Sequence, residues 1–275
     1  SRGSNGVIII TTKKGRKGQA PQVSYAGSVT LSMKKKTHEM MNGDQYRELV
    51  TNLFGEGSEQ VNALGTANTD WQDLIYREAW SHDHNVTVSG SVKDVLPYRV
   101  SLGYTSQDGI IKTSNYNRYT ASVNLNPSFF QDHLTLNLNA KGMYSNARKT
   151  NSDAIGVDVV GAAVGMDPTQ DPYNFTSKRD LEMLGANKDQ TLSNFGGYYE
   201  WLTSGSDLKD SSWPYTKFSN ATSNPLAALN LSNYKEKMKT FVGSADIDYK
   251  VHGFEDLRLH ATLGLEFAKG SENQN

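Results

Sequence analysis

Between Val23 and Phe267 the chain repeatedly alternates apolar and polar side chains over long stretches. The clearest puts Leu134, Leu136, Leu138, Ala140, Gly142 and Tyr144 on one face, with Thr135, Asn137, Asn139 and Lys141 on the other. The same period runs through Val23 to Met33, Val86 to Val92, Tyr98 to Tyr104, Tyr119 to Leu125, Phe241 to Tyr249 and Leu257 to Phe267. A period of two marks a strand with unlike faces, and sandwich strands usually run only about five or six residues. The pattern predicts an all-β chain: a partial antiparallel transmembrane β-barrel, with lipid against the apolar face and a wet lumen against the polar one. With about seven strands the first and last edges lack neighbours, so an open, curved sheet is expected rather than a closed barrel.

The connections alternate in length. Ser91 to Pro97, Pro127 to Gln131 and His252-Gly253 are tight, whereas Ser106 to Asn115 is longer and the segments at about 34–81 and 149–236 are excursions. Short turns at one end and long extracellular loops at the other are the habit of outer-membrane barrels. Short helices are expected in the loops: one over Gly43 to Phe54, with Tyr46, Leu49, Val50 and Leu53 at helical spacing, and one from Thr69, with Gln72 completing a capping box. Aromatics fall in two groups: Tyr104, Tyr119, Tyr144, Phe241 and Phe267 toward the long loops, and Tyr25, Tyr98, Phe129, Phe130, Tyr249 and Phe254 toward the short turns. Their separation, about eight to ten residues on tilted strands, is on the order of 20–25 Å, the height of an outer-membrane apolar band. A soluble β-sandwich with aromatics at its strand ends is the competing reading.

Composition narrows the function classes. A net charge of -1 gives no basic excess for nucleic acid, and the absence of cysteine excludes a disulfide scaffold or a cysteine-ligated zinc site. His82 and His84 share a strand face without an identifiable third ligand, so no metal site is expected. Asp246 and Asp248 share the polar face, which explains them as lumen residues, and no hydrolase, phosphate-loop or metalloprotease motif occurs. No catalytic residue and no cofactor are therefore assigned. Lys34 to Lys36 read as a solvated run or a contact with anionic lipid headgroups. The candidate binding residues are the aromatics of the long excursion, Tyr198, Tyr199, Trp201, Trp213 and Tyr215, set among Gly, Asn and Asp. Rings beside amides suit sugars or peptides, and equally suit packing of the loop on itself.

Ser4-Asn-Gly-Val-Ile-Ile-Ile-Thr-Thr-Lys-Lys-Gly15 resembles the last plug strand of the SusC/RagA family of TonB-dependent outer-membrane transporters. Asn68-Thr-Asp-Trp-Gln-Asp-Leu-Ile-Tyr-Arg77, His82 to Gly90, Pro97 to Tyr104, Gly109 to Ser114, Arg118 to Leu125, Met166-Asp-Pro-Thr-Gln170 and Phe195-Gly-Gly-Tyr198 are similar in the same order. The resemblance implies that residues 1–18 end a plug domain and that 19–275 begin the barrel, the chain being part of a longer transporter. It also implies a Gram-negative, Bacteroidetes-like outer membrane, lipid contact, import of glycans or less often peptides, a SusD-like lipoprotein lid, and energisation by the TonB-ExbB-ExbD complex. Import of chelated metal or cobalamin, and a secreted carbohydrate-binding β-sandwich, are the alternatives.

Overall fold

The computed structural model describes residues 15–150, 157–204, 215–218 and 220–274, so the segment from Ser4 that resembles a last plug strand lies, but for Gly15, outside the described residues. The strands are β1 (Gln22–Ser32), β2 (Ala79–Val92), β3 (Leu96–Asp108), β4 (Asn115–Leu125), β5 (Ser128–Phe129), β6 (Leu134–Lys149), β7 (Leu202–Ser204), β8 (Tyr215–Lys217), β9 (Tyr234–Lys250) and β10 (Arg258–Gln274). Seven of them form one antiparallel meander in the order β1-β2-β3-β4-β6-β9-β10, with β5 added beside β6. The sheet is open: β1 and β10 each have a single neighbour among the described residues.

Register fixes which side chains share a face. Val86, Leu102, Ala121, Gly142, Phe241 and Phe267 form one continuous row, and Thr87, Ser101, Ser122, Lys141, Val242 and Glu266 form the next row on the opposite face. The usual distribution of burial is reversed. Thr87 is only 3% exposed, whereas Leu102 is 59% exposed. Water normally penalises such an outward apolar face by about 25 cal/mol for each Å² that could have been buried, a penalty that lipid removes. The polar face is knit together instead: Thr87 and Ser101 hydroxyls meet at 2.8 Å, Asn126 Nδ2 donates to Asn137 Oδ1 at 2.9 Å, and Asn137 Nδ2 donates to Asp246 Oδ2 at 3.0 Å.

The aromatics toward the long loops form a contact chain. Ring centroids of Tyr104 and Tyr119 are 4.9 Å apart, those of Tyr119 and Tyr144 6.2 Å, and Phe241 lies opposite Phe267. Tyr25, expected toward the short turns, joins this chain. Its ring lies over Gly27, where a Cβ would come within 2.5 Å of the phenol oxygen, and its hydroxyl reaches His84 Nδ1 at 2.6 Å. A side chain of this length spans the step from its own row to the next, which alternation alone does not reveal.

The described parts of the two long connections, between β1 and β2 and between β6 and β9, fold together at one end of the sheet. The helix over Gly43–Phe54 occurs as its spacing predicts, started by an Asn42/Gln45 capping box. The second helix spans Trp71–Ile75 and is capped by Asp70 rather than Thr69. Thr69 gives its hydroxyl to Gln170 O at 2.7 Å, and Gln72 brackets the backbone of His38, so neither is free to cap. Arg77 ties this region to the β3–β4 turn: Nε donates to Gly109 O at 3.0 Å, Nη2 donates to Ser114 O at 2.7 Å, and Asp108 lies 3.4 Å away. Charge-assisted bonds of this kind are each worth about 1.5–3 kcal/mol. Arg77→Ala is expected to raise amide exchange across residues 109–114 by about 10- to 100-fold while leaving the β9–β10 ladder unchanged, as read by hydrogen–deuterium exchange.

Candidate functional site

The described residues pack their main apolar core inside the paired loops, outside the sheet. Trp71 and Ile75 from the first loop meet Val159, Met166, Phe175, Leu184, Tyr199, Leu226 and Leu229 from the second. Short helices at Val159–Gly165, Lys178–Leu184, Lys188–Asn194 and Pro225–Leu231 supply this core. Each has at most two turns, too short to be stable alone, so burial holds it, aided at Lys178–Leu184 and Pro225–Leu231 by the side-chain caps of Ser177 and Asn224. Asn224 is the most heavily used cap. Its Oδ1 accepts from the N–H groups of Leu226 and Ala227, and its Nδ2 donates to the carbonyls of Pro172 and Tyr199.

A clasp of hydrogen bonds joins the loops where two of the resembling segments meet. Ala67 N donates to Thr169 O at 2.9 Å, Thr69 N to Pro168 O at 2.8 Å, and Trp71 Nε1 to Asp167 O at 2.9 Å. Gly65 belongs to the same clasp, and a Cβ there would sit 2.2 Å from Thr169 O. Asp167 is used up within its own turn, accepting from Thr169 N and Gln170 Nε2.

Beside the clasp opens a cleft of about 830 Å³. Its walls include Met40, Met41, Tyr46, Asn68, Trp71 and Trp201. Aromatic and thioether surface beside amides can hold a polar solute with apolar faces. Burial, with Asp167 nearby, raises the Tyr46 phenol pKa, which keeps it a neutral hydrogen-bonding group. Among the described residues no group of three His, Cys, Asp or Glu could hold a metal ion.

The structure divides the five sequence-chosen aromatics. Tyr199 has no exposed surface and packs on Phe175 at 5.3 Å, so it presents no ring face to a solute. Burial pushes its phenol well above the ordinary value. Tyr198 leans on Tyr173 at 5.5 Å and accepts from Asn230 Nδ2 at 2.9 Å. Tyr215 lies on the core margin and donates its hydroxyl to Met183 O at 2.8 Å. Trp201 alone of the described four lines the cleft, its ring set edge-on to Tyr199 at 5.6 Å and beneath the Arg179 guanidinium at 5.5 Å. Trp213 lies outside the described residues. Met40, Met41 and Tyr46 were not selected from the sequence. The only local hint is their position around the Asn42 cap, which fixes where they point but not what they face.

Lys34, read as a solvated cation, pairs with Asp73 at 2.6 Å and lies over the Tyr76 ring, and this pairing lowers the Asp73 pKa. Glu200 behaves oppositely. Burial raises its pKa, with Lys217 at 3.4 Å and Asn224 N at 3.4 Å only partly offsetting the effect.

No family model matches the chain. The TonB-dependent receptor SusC of Bacteroides thetaiotaomicron is 48% identical over 99% of this chain and 25% of that protein. The TonB-dependent receptor P26 of Formosa agariphila is 25% identical over 100% of this chain and 24% of that protein. The chain therefore spans about a quarter of the length of these relatives. Among solved structures, the RagAB peptide importer in its closed-closed state superposes with a TM-score of 0.65 at 16% identity, covering 100% of this chain and 31% of that one. The open-open state gives 0.62 at 17% identity, over 98% of this chain and 30% of that one. These likenesses establish the fold.

Two outcomes test the paired loops. Because the folded Glu200 holds its proton to higher pH than the unfolded chain does, the unfolded state binds fewer protons as pH rises through the carboxyl range, and stability falls there. Glu200→Gln is expected to remove that slope, measured as protease resistance of the loops against pH. Gly65→Ala is expected to weaken the clasp by about 1–3 kcal/mol through overpacking, measured by the same protease assay at constant pH.

Proposed function

The chain belongs to the SusC/RagA family of TonB-dependent receptors, and we propose that it forms part of the barrel wall and outer loops of an outer-membrane importer of glycans. The observation that carries this reading is the reversed sheet, apolar outside and hydrogen-bonded polar within, since such a surface is stable against lipid and not against water. In the whole protein the open edges of β1 and β10 would pair with neighbouring parts of the barrel. Residues 1–18 would close the plug, and residues 19–275 would begin the barrel, with both long loops on the extracellular side.

The mechanism is gated passage and needs no chemistry on the solute. The inward Asn, Ser and Thr side chains offer a mostly neutral hydrogen-bonding wall. The cleft beside the clasp, with Trp201 in its wall, would hold the solute by ring stacking and amide bonds. A SusD-like lipoprotein would cover this end, and the TonB-ExbB-ExbD complex would act through a plug segment. Glycan is preferred because the family resemblance implies glycan import more often than peptide import, and the likeness to the peptide importer extends to fold alone.

Orientation is tested by charge. Val100→Arg on the outward face is expected to cost about 2–4 kcal/mol of membrane stability and to abolish the heat-dependent mobility shift of the folded barrel. Ser101→Arg, one residue away on the inward face, should preserve that shift. Solute class is tested by uptake and direct binding of labelled oligosaccharides and peptides. Trp201→Ala is expected to weaken oligosaccharide binding on the order of tenfold, with Trp201→Phe recovering most of it. Peptide binding without oligosaccharide binding would reassign the substrate.

A further inference from the structure

The outward face of β9 and β10 carries charge that no ion pair among the described residues neutralises. Lys235, Lys237 and Lys239 alternate outward on β9, and Lys269 does so on β10, all four exposed. Lys239 and Lys269 are direct cross-strand partners, a like-charge pairing that is destabilising by itself. Glu236, Glu266 and Glu272 of the same strands fall on the opposite face by alternation, where Glu236 pairs with Lys149. None of the four lysines takes part in an ion pair among the described residues.

Next to these lysines the apolar face is hollow. Ala121 and Gly142 are adjacent in the row between Leu102 and Phe241, and a Cβ built on Gly142 would meet nothing within 4 Å. The result is a groove of about 690 Å³, lined by Val86, Leu102, Ala121, Gly142 and Tyr144, with Lys239 at its end. Lys239 Nζ lies 6.0 Å from the Tyr144 ring centre, which joins the cationic patch to the aromatic band.

We propose that this surface seats one lipid of the surrounding leaflet whose phosphate headgroup carries net negative charge, its acyl chain in the Ala121–Gly142 groove and its phosphate on Lys237, Lys239 and Lys269. The proposal rests on the membrane reading above. The groove supplies van der Waals contact that a flat barrel wall lacks, and an anion between Lys239 and Lys269 relieves their repulsion. Lysine suits this role because its long stem can cross the aromatic band and place its charge at headgroup level.

The test is native mass spectrometry of the full-length protein in detergent, titrated separately with phosphatidylglycerol and phosphatidylcholine, with the heat-dependent mobility shift as a folding check. Wild type is expected to retain one phosphatidylglycerol at concentrations where phosphatidylcholine is not retained. The combined Lys237→Gln, Lys239→Gln and Lys269→Gln variant should weaken retention at least tenfold. Gly142→Leu should weaken it with the charges intact, and inward-facing Lys141→Gln should leave it unchanged. Equal retention of both lipids, or undiminished retention by the triple variant or by Gly142→Leu, would overturn the seat. A wild-type protein with no mobility shift would overturn the membrane reading itself, a result distinguishable from loss of lipid alone.

Discussion

The antiparallel backbone ladder is the constraint on which the rest of this structure depends. From β1 to β10 each long strand is hydrogen-bonded to its sequence neighbour in the meander, so the interior strands satisfy their backbone donors and acceptors without water. Once the backbone is satisfied in this way, an apolar face can be turned to lipid without stranding polar groups. Side-chain polarity then sorts by the pleat, and one register decides both faces at once. The aromatic contacts from Tyr25 through Tyr144 follow from that register, as does the separation of the lysines of β9 and β10 from the glutamates of the same strands.

Because the sheet gives its apolar surface to the outside, its own interior cannot serve as a hydrophobic core. The loops supply one. Trp71, Phe175, Tyr199 and Leu229 are brought together from connections far apart in sequence, and buried polar side chains such as Asn224 stitch the short helices to one another. The segments that carry the family resemblance have chiefly structural work in this chain. Asn68 to Arg77 docks on Met166 to Gln170 and on the turn from Gly109 to Ser114. Phe195 to Tyr198 turns through Gly196 and Gly197, both with positive φ, onto the same core. The cleft is left beside this clasp, walled by residues that the clasp itself positions.

Much of the fold was legible in the chain alone. Alternation gave the long strands, their faces and the asymmetry of the connections, because a period of two is a local property of the pleat. The helix from Gly43 to Phe54 was legible for a similar reason: the spacing of Tyr46, Leu49, Val50 and Leu53 is a local property of the helix. The four short helices of the second loop were not, since each is held by contacts with distant segments rather than by its own periodicity. Tyr199 shows the same limit for the site. Its sequence neighbours, Gly197, Tyr198 and Glu200, do not mark it as core, yet it is fully buried, with Phe175 from a distant segment packed on its ring.

The sequence by itself determined the two-faced sheet and the class of surface each face presents, because alternation and strand pairing translate composition directly into geometry. Only the tertiary structure decided which loop aromatics are core and which reach a cleft, that Tyr25 crosses to His84, and that Ala121 and Gly142 line up as a groove beside the lysines of β9. Those outcomes depend on which residues from separate strands and loops come within a few ångströms, and on how much volume each leaves for the others. A linear pattern specifies polarity at each position, but packing between distant segments decides what that position touches.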